Sequence, residues 1–167
     1  MKRVAILGPE STGKSTLSAA LAAHYDTRWV PEYARAYLEA LPRTYQESDL
    51  IHLAKGQLHT EQETAREAKD WLFCDTELTV LKIWSEHSYG RVHPWLLKRW
   101  RQQQYHHYLL TYIDTPWEAD PLREHPHLRQ YLFDWYYAEL TLRGWPFTVL
   151  EGSHPDRVQQ AIAVLSK

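Results

Sequence analysis

The chain reads as an α/β protein with a five-stranded parallel sheet and helices on both faces. Three observations predict this. Strand-like and helix-like segments alternate from end to end, the pattern of a parallel sheet with helical crossovers. A glycine-rich turn, Gly8-Pro-Glu-Ser-Thr-Gly-Lys-Ser15, lies between an apolar run and a segment rich in alanine and leucine. The length, 167 residues, suits one domain with a substantial core and is short for two.

The elements follow in order. Arg3-Val-Ala-Ile-Leu7 is a short apolar run and reads as a buried strand, and Thr16 to Tyr25 favours helix. Thr27–Val30 is a second strand. Pro31 to Leu41 is a helix with proline at its favoured first position. Thr44-Tyr-Gln-Glu47 has the capping-box spacing, which predicts a long helix reaching about Lys69. Trp71–Cys74 is the third strand, ending on Asp75, with a helix from Thr76 to His87. Pro94 to Gln104 is helical and feeds the strand Tyr108–Ile113. Asp114 to Pro126 is polar and carries prolines, so it reads as a lid loop. A helix from His127 to Arg143 stops at Gly144, Trp145–Leu150 is the fifth strand, and Pro155–Leu165 closes the chain as a helix. By analogy with phosphate-loop folds, the expected strand order is 2-3-1-4-5. The whole chain, 1–167, is expected to be one domain with its lid at about 114–126.

Composition narrows the functional class. A formal charge of −2 argues against a broad nucleic-acid-binding surface. No apolar run approaches the ~18 residues of a membrane span, and Gly8-Pro9 breaks the first apolar run too early for a signal peptide. Cys74 is the single cysteine, so no internal disulfide forms and a reducing compartment, the cytoplasm, is expected. Cys74 lies within an apolar strand and reads as core. His106-His107 lack metal-ligand spacing, and most of the eight tryptophans read as packing.

The chemistry starts at the turn. Gly-x4-Gly-Lys-Ser between strand and helix is the pattern of a phosphate-binding loop. Gly8 and Gly13 let the backbone curl so that the N–H groups of Glu10, Ser11, Thr12, Lys14, Ser15 and Thr16 face an anion at the helix N-terminus. Lys14 reaches β- and γ-phosphates, and the Ser15 hydroxyl is suited to Mg²⁺. The chain is therefore expected to bind a nucleoside triphosphate, with ATP and Mg²⁺ as the cofactors.

Ligands of such sheets lie beyond the carboxyl ends of the strands. Glu32 follows the second strand, with Arg35 one turn on. The pair reads either as a proton acceptor with its partner or as a surface ion pair. Asp75, after the third strand, reads as a Mg²⁺ or substrate contact, a reading compatible with its being the N-cap of the next helix. In the lid, Arg123 could close over phosphates and Trp117 could stack on a ring; an ordinary solvated loop is the competing reading.

Several segments go further together: Gly8–Thr16, Pro31-Glu-Tyr-Ala-Arg35, Ala54-Lys-Gly-Gln57, Phe73-Cys-Asp-Thr76 with Lys82-Ile-Trp-Ser85, and Trp117-x-x-Asp120-x-Leu-Arg123. In this order they resemble the ribosylnicotinamide kinase domain of NadR-type NAD biosynthesis proteins. The resemblance covers nearly the whole chain, Val4 to about Arg157. It implies ATP-dependent phosphorylation of the 5′-hydroxyl of nicotinamide riboside. It also implies catalytic roles for Lys14, Glu32, Asp75 and Arg123, and acceptor contacts from Glu32, Tyr33, Arg35, Gln57, Asp75, Trp84, Trp117 and Asp120. Adenine would rest near Glu151–Arg157. Another nucleoside or nucleotide as acceptor, or a nucleotide-dependent switch, remains the alternative. The chain starts directly on its first strand, without the adenylyltransferase domain of longer relatives, so it is not expected to make NAD by itself. Its lid carries Pro121 where glycine is expected, which stiffens that turn.

Overall fold

The structure, a computed structural model, describes residues 1–118 and 126–167. The strands are β1 (Lys2–Leu7), β2 (Arg28–Val30), β3 (Trp71–Asp75), β4 (His107–Thr111) and β5 (Phe147–Leu150). The helices are α1 (Lys14–His24), α2 (Tyr33–Ala40), α3 (Asp49–Ala65), α4 (Leu78–Tyr89), α5 (Pro94–Gln102), α6 (Arg129–Arg143) and α7 (His154–Leu165). All five strands are parallel, in the expected order β2-β3-β1-β4-β5.

Strand alternation explains the three layers. Val4, Ile6, Phe73 and Leu109 point to one face and pack against Leu17 and Leu21 of α1 and Ala161 and Leu165 of α7. Ala5, Leu7, Tyr108 and Leu110 point to the other, against Ile83 of α4 and Phe133, Tyr136 and Leu140 of α6. A further cluster, Leu50, Leu53, Leu81, Leu96 and Trp100, joins α3, α4 and α5. With both faces covered, β1 is buried from Val4 to Leu7, and each such large apolar side chain contributes on the order of 2 kcal/mol. Cys74 is part of this core, as expected, beside Val30 and Leu72.

Several helix starts differ from expectation, and those of α3 and α4 have clear local reasons. The spacing Thr44–Glu47 does not cap α3, which begins at Asp49 and ends at Ala65. The Glu47 carboxylate is held instead by Arg91, at 2.8 and 2.7 Å. Asp49 organises the turn: it accepts from the Gln46 N–H at 2.7 Å, from Tyr37 at 2.7 Å and from both ends of the Arg43 guanidinium. Those bonds hold its carboxyl well below the usual range. Helix α4 begins at Leu78 because Thr76 is left-handed (φ 70°) and Glu77, not Asp75, is the cap, accepting from the Thr79 N–H at 2.8 Å. Helix α7 carries the capping box that α3 lacks, between Ser153 and Asp156. A single 3₁₀ turn at Pro126–Leu128 leads into α6, which stops at left-handed Gly144 as expected. Among the described residues no helix is long and apolar enough to cross a membrane.

Candidate active site

The parallel sheet sends the carboxyl ends of β1, β2 and β3 to one edge of the molecule. A cavity of about 460 Å³ opens there, lined by the whole loop from Gly8 to Thr16. That size is typical for a small-molecule site. The loop is wound by left-handed backbone at Ser11 (φ 59°) and Gly13 (φ 77°). Gly8 is needed for a different reason: a Cβ there would lie 2.2 Å from Thr111 Oγ1. The Thr12 hydroxyl bonds the Pro9 carbonyl and Thr111 Oγ1, both at 2.7 Å, which closes the loop on β4. Lys14 donates to the Pro9 carbonyl at 3.0 Å, at the wall of the cavity.

The metal candidates converge. Ser15, in the first turn of α1, donates to Asp75 Oδ2 at 2.5 Å, because parallel pairing of Ile6 with Asp75 sets the end of β3 beside the loop. Asp75 is 1% exposed, and its other oxygen, Oδ1, is buried without a hydrogen-bond partner. Burial pushes the carboxyl up to about 6, against the pull of Lys14 and with a further push from Glu32. A hard carboxylate oxygen left unmatched beside a hydroxyl is the donor set that Mg²⁺ takes, so Ser15 and Asp75 fit the ion.

The same cavity is also lined by Glu32 and Arg35 at the start of α2 and by Trp84 and His87 of α4. Glu32 occupies the cap position of α2 with an extended backbone (ψ 110°), two residues past the end of β2. Arg35 pairs with Glu39 at 3.8 Å and contributes to the field at Asp75. The Trp84 indole N–H donates to the Tyr45 hydroxyl at 3.1 Å and its ring meets Tyr45 edge-on, which fixes its plane. A side cavity of about 20 Å³, the size of one water, continues behind Glu32 and Trp84. Gln57 lines it: its Oε1 accepts from the Tyr33 N–H at 2.9 Å, while its Nε2 is buried without a partner.

Other predicted residues lie elsewhere. Tyr33 does not line the cavity; its ring packs on Gly56, where a Cβ would come within 2.0 Å of it. Trp117 is half-buried and outside the lining, although Pro116 and Glu118 on either side belong to it. Arg157 is 3% exposed and does not line the cavity either. Its guanidinium is directed at the backbone, donating to the carbonyls of Thr12 (2.6 Å), Tyr112 (2.9 Å) and Gly152 (3.0 Å) and to Asp114. Asp120 and Arg123 fall outside the described residues.

Sequence reasoning missed the apolar wall formed by Val80, Ile83, Leu132 and Tyr136. The signal was present for α6, where Leu132 and Tyr136 stand one turn apart beside Phe133 and Leu140. That stripe marks a buried face without distinguishing core from cavity.

Known proteins resemble this chain in sequence and in fold. A family model for an AAA domain, AAA_28, matches residues 3–157. Over 127 residues the chain is 32% identical to the trifunctional NAD biosynthesis/regulator protein NadR of Salmonella typhimurium. That match takes in 74% of this chain and 31% of NadR, so the chain spans about a third of that relative's length. The crystal structure of a NadR protein in complex with NR aligns with a TM-score of 0.86 at 21% identity, covering 98% of this chain and 50% of that one. A deoxyadenosine kinase from M. mycoides aligns with a TM-score of 0.72 at 14% identity and covers 98% of both chains. Likenesses of this depth speak to the fold, and the family match over residues 3–157 includes every element that builds the cavity. The chain belongs to the AAA_28 family of AAA domains and carries the three-layer phosphate-loop fold of the nucleoside kinases.

Proposed function

We propose that this chain, acting as one cytoplasmic domain, transfers the γ-phosphoryl group of ATP to the 5′-hydroxyl of nicotinamide riboside, giving nicotinamide mononucleotide. The observation that carries the reading is one cavity whose wall combines the phosphate loop with Glu32, Arg35, Trp84 and His87. Similarity to NadR at 32% identity, and to a NadR protein in complex with NR, supports the choice of acceptor.

In this mechanism the 5′-oxygen forms a bond to the γ-phosphorus as the bond to the bridging oxygen of ADP breaks. The hydroxyl proton goes to Glu32. Asp75 stands beside Ser15, and Glu32, on the cavity wall, is the carboxylate assigned here as the base. Lys14 turns from the Pro9 carbonyl to the β- and γ-phosphates, and the inward loop N–H groups hold the same oxygens. Ser15 and Asp75 would hold Mg²⁺, which when bound neutralises phosphate charge. Arg35 helps to position or balance Glu32, Arg123 joins from the lid, and Trp84 offers its face to the cationic nicotinamide ring. Gln57 Nε2 supplies a buried donor in the side cavity that Trp84 also lines. Alignment and electrostatics carry most of the rate. The small acceptor needs neither nucleic acid nor membrane, in keeping with a formal charge of −2.

Similarity to a deoxyadenosine kinase favours another nucleoside as the second reading. The deciding experiment measures ADP release from Mg·ATP with nicotinamide riboside, other nucleosides, nucleoside monophosphates and no acceptor. Strong stimulation by nicotinamide riboside, with the mononucleotide as product, is expected. Preference for another acceptor overturns the substrate, and equal rates with and without acceptors overturn the kinase.

A further inference from the structure

Two arginines outside the cavity lining hold the backbone of the phosphate loop from behind. Ser11 is left-handed (φ 59°), a conformation that costs a non-glycine residue on the order of 1 kcal/mol and persists only where its surroundings hold it. Its carbonyl accepts from Thr115 Oγ1 at 2.6 Å and from Arg129 Nη2 at 3.2 Å. The next carbonyl, of Thr12, accepts from Arg157 Nη1 at 2.6 Å. Two successive carbonyls are therefore drawn outward by guanidinium groups. Anion-binding loops need the opposite edge, their N–H groups, turned inward.

Each arginine also reaches the next part of the rim. Arg129 Nη1 donates to the Thr115 carbonyl at 2.9 Å, tying α6 and the start of the lid to the loop. Arg157 spans the segments after β4 and β5 through Tyr112, Asp114 and Gly152. Burial opposes ionisation of Asp114, but the Gly152 N–H at 2.6 Å and the Arg157 guanidinium outweigh it and keep the carboxyl below the usual range. Arg157 thus faces a carboxylate and three carbonyls, a set that only a planar fork of donors satisfies together.

The geometry points to Arg129 and Arg157 as positioning residues for phosphate binding, acting on the carbonyls of Ser11 and Thr12 rather than on the nucleotide. The assignment rests on reading Gly8–Ser15 as a triphosphate site and holds for any acceptor. It also replaces the expectation that Arg157 contacts adenine.

The test uses the whole chain, a fluorescent ATP analogue, and inorganic tripolyphosphate, which has no base, as its competitor, both with Mg²⁺. Arg129→Ala and Arg157→Lys are compared with wild type below their melting temperatures; the lysine variant keeps the charge and is the one expected to fold. Each is expected to weaken both probes in parallel by about five- to tenfold, the loss of one or two charge-assisted hydrogen bonds. The KM of the nucleoside acceptor should stay within about twofold, which a distortion of the whole cavity would not leave untouched. Weaker analogue binding with unchanged tripolyphosphate binding means that Arg157 touches the base, and overturns the proposal. Unchanged binding of both probes overturns it as well. A wild type that takes neither probe removes the triphosphate site itself, a separate failure from that of the brace.

Discussion

Replacing Asp75 by asparagine is expected to make the ligand-free protein more stable and the proposed phosphoryl transfer far slower. The carboxyl is 1% exposed, and burial moves its pKa from 3.8 to about 6. Between those values the folded state holds a proton that the unfolded state has released. Unfolding free energy therefore falls as pH rises through this window and stays lowered above it. The gap corresponds to about 3 kcal/mol as a ceiling. Asparagine carries no charge, and its amide oxygen still accepts the Ser15 hydroxyl. At roughly 2–4 °C per kcal/mol for a chain of this size, the variant should melt about 3–10 °C above wild type at pH 8. Near pH 4 the two should melt almost together, because most of the cost is gone once Asp75 is protonated. Thermal melts from pH 4 to 8 in a chelator measure this directly. Mg·ATP should then raise the wild-type melting temperature and leave the variant nearly unmoved, with kcat about 10²-fold lower or worse. A variant that melts at or below wild type at pH 8 would refute the reasoning, since burial would then not be opposing a charge.

Three other substitutions probe separate parts of the site. Glu32→Gln should lower kcat by roughly 10²–10⁴-fold while Mg·ATP affinity stays nearly constant, as stopped-flow and equilibrium binding would show; a normal kcat removes Glu32 as the base. Trp84→Leu should raise the KM of a cationic acceptor by about tenfold and leave the KM of ATP alone, and an unchanged acceptor KM eliminates the stacking role. Gly8→Ala sets a Cβ 2.2 Å from Thr111 Oγ1 and 2.9 Å from the Thr111 carbonyl at a φ of 148°. It should cost about 2 kcal/mol or more in chemical denaturation, and a loss below about 0.5 kcal/mol would mean that β4 yields freely.

The chemical elements of the site were more legible than its walls. A phosphate loop is local: its glycines, lysine and serine lie within eight consecutive positions, Gly8 to Ser15, and its partner Asp75 follows from where a parallel strand must end. Glu32 was legible for the same reason, as it lies two residues past the end of β2. The cap of α3 was misread because Glu47 has a choice of partners. Its spacing from Thr44 fits a capping box, but Arg91, 44 residues away, offers a charge, and sequence spacing carries no information about that. Tyr136 and Leu132 were illegible as cavity residues because a helix stripe looks the same whether it meets a neighbour or an opening. Arg157 was read from its position after β5; that its donors turn inward to Thr12, 145 residues back, is a property of the folded chain alone. Asp120 and Arg123 stay expectations of the sequence.

The buried thiol at Cys74 gives this protein a reporter of its own. It is the single cysteine of the chain, it is fully buried, and burial raises its pKa well above that of a free thiol. An alkylating reagent can reach it only when β3 separates from its neighbours, so labelling in native buffer counts openings of the central sheet. The next residue is Asp75, where metal and phosphate would meet. A ligand that grips that carboxylate should slow the labelling in proportion to its occupancy, so binding at the site can be timed without attaching a probe to it.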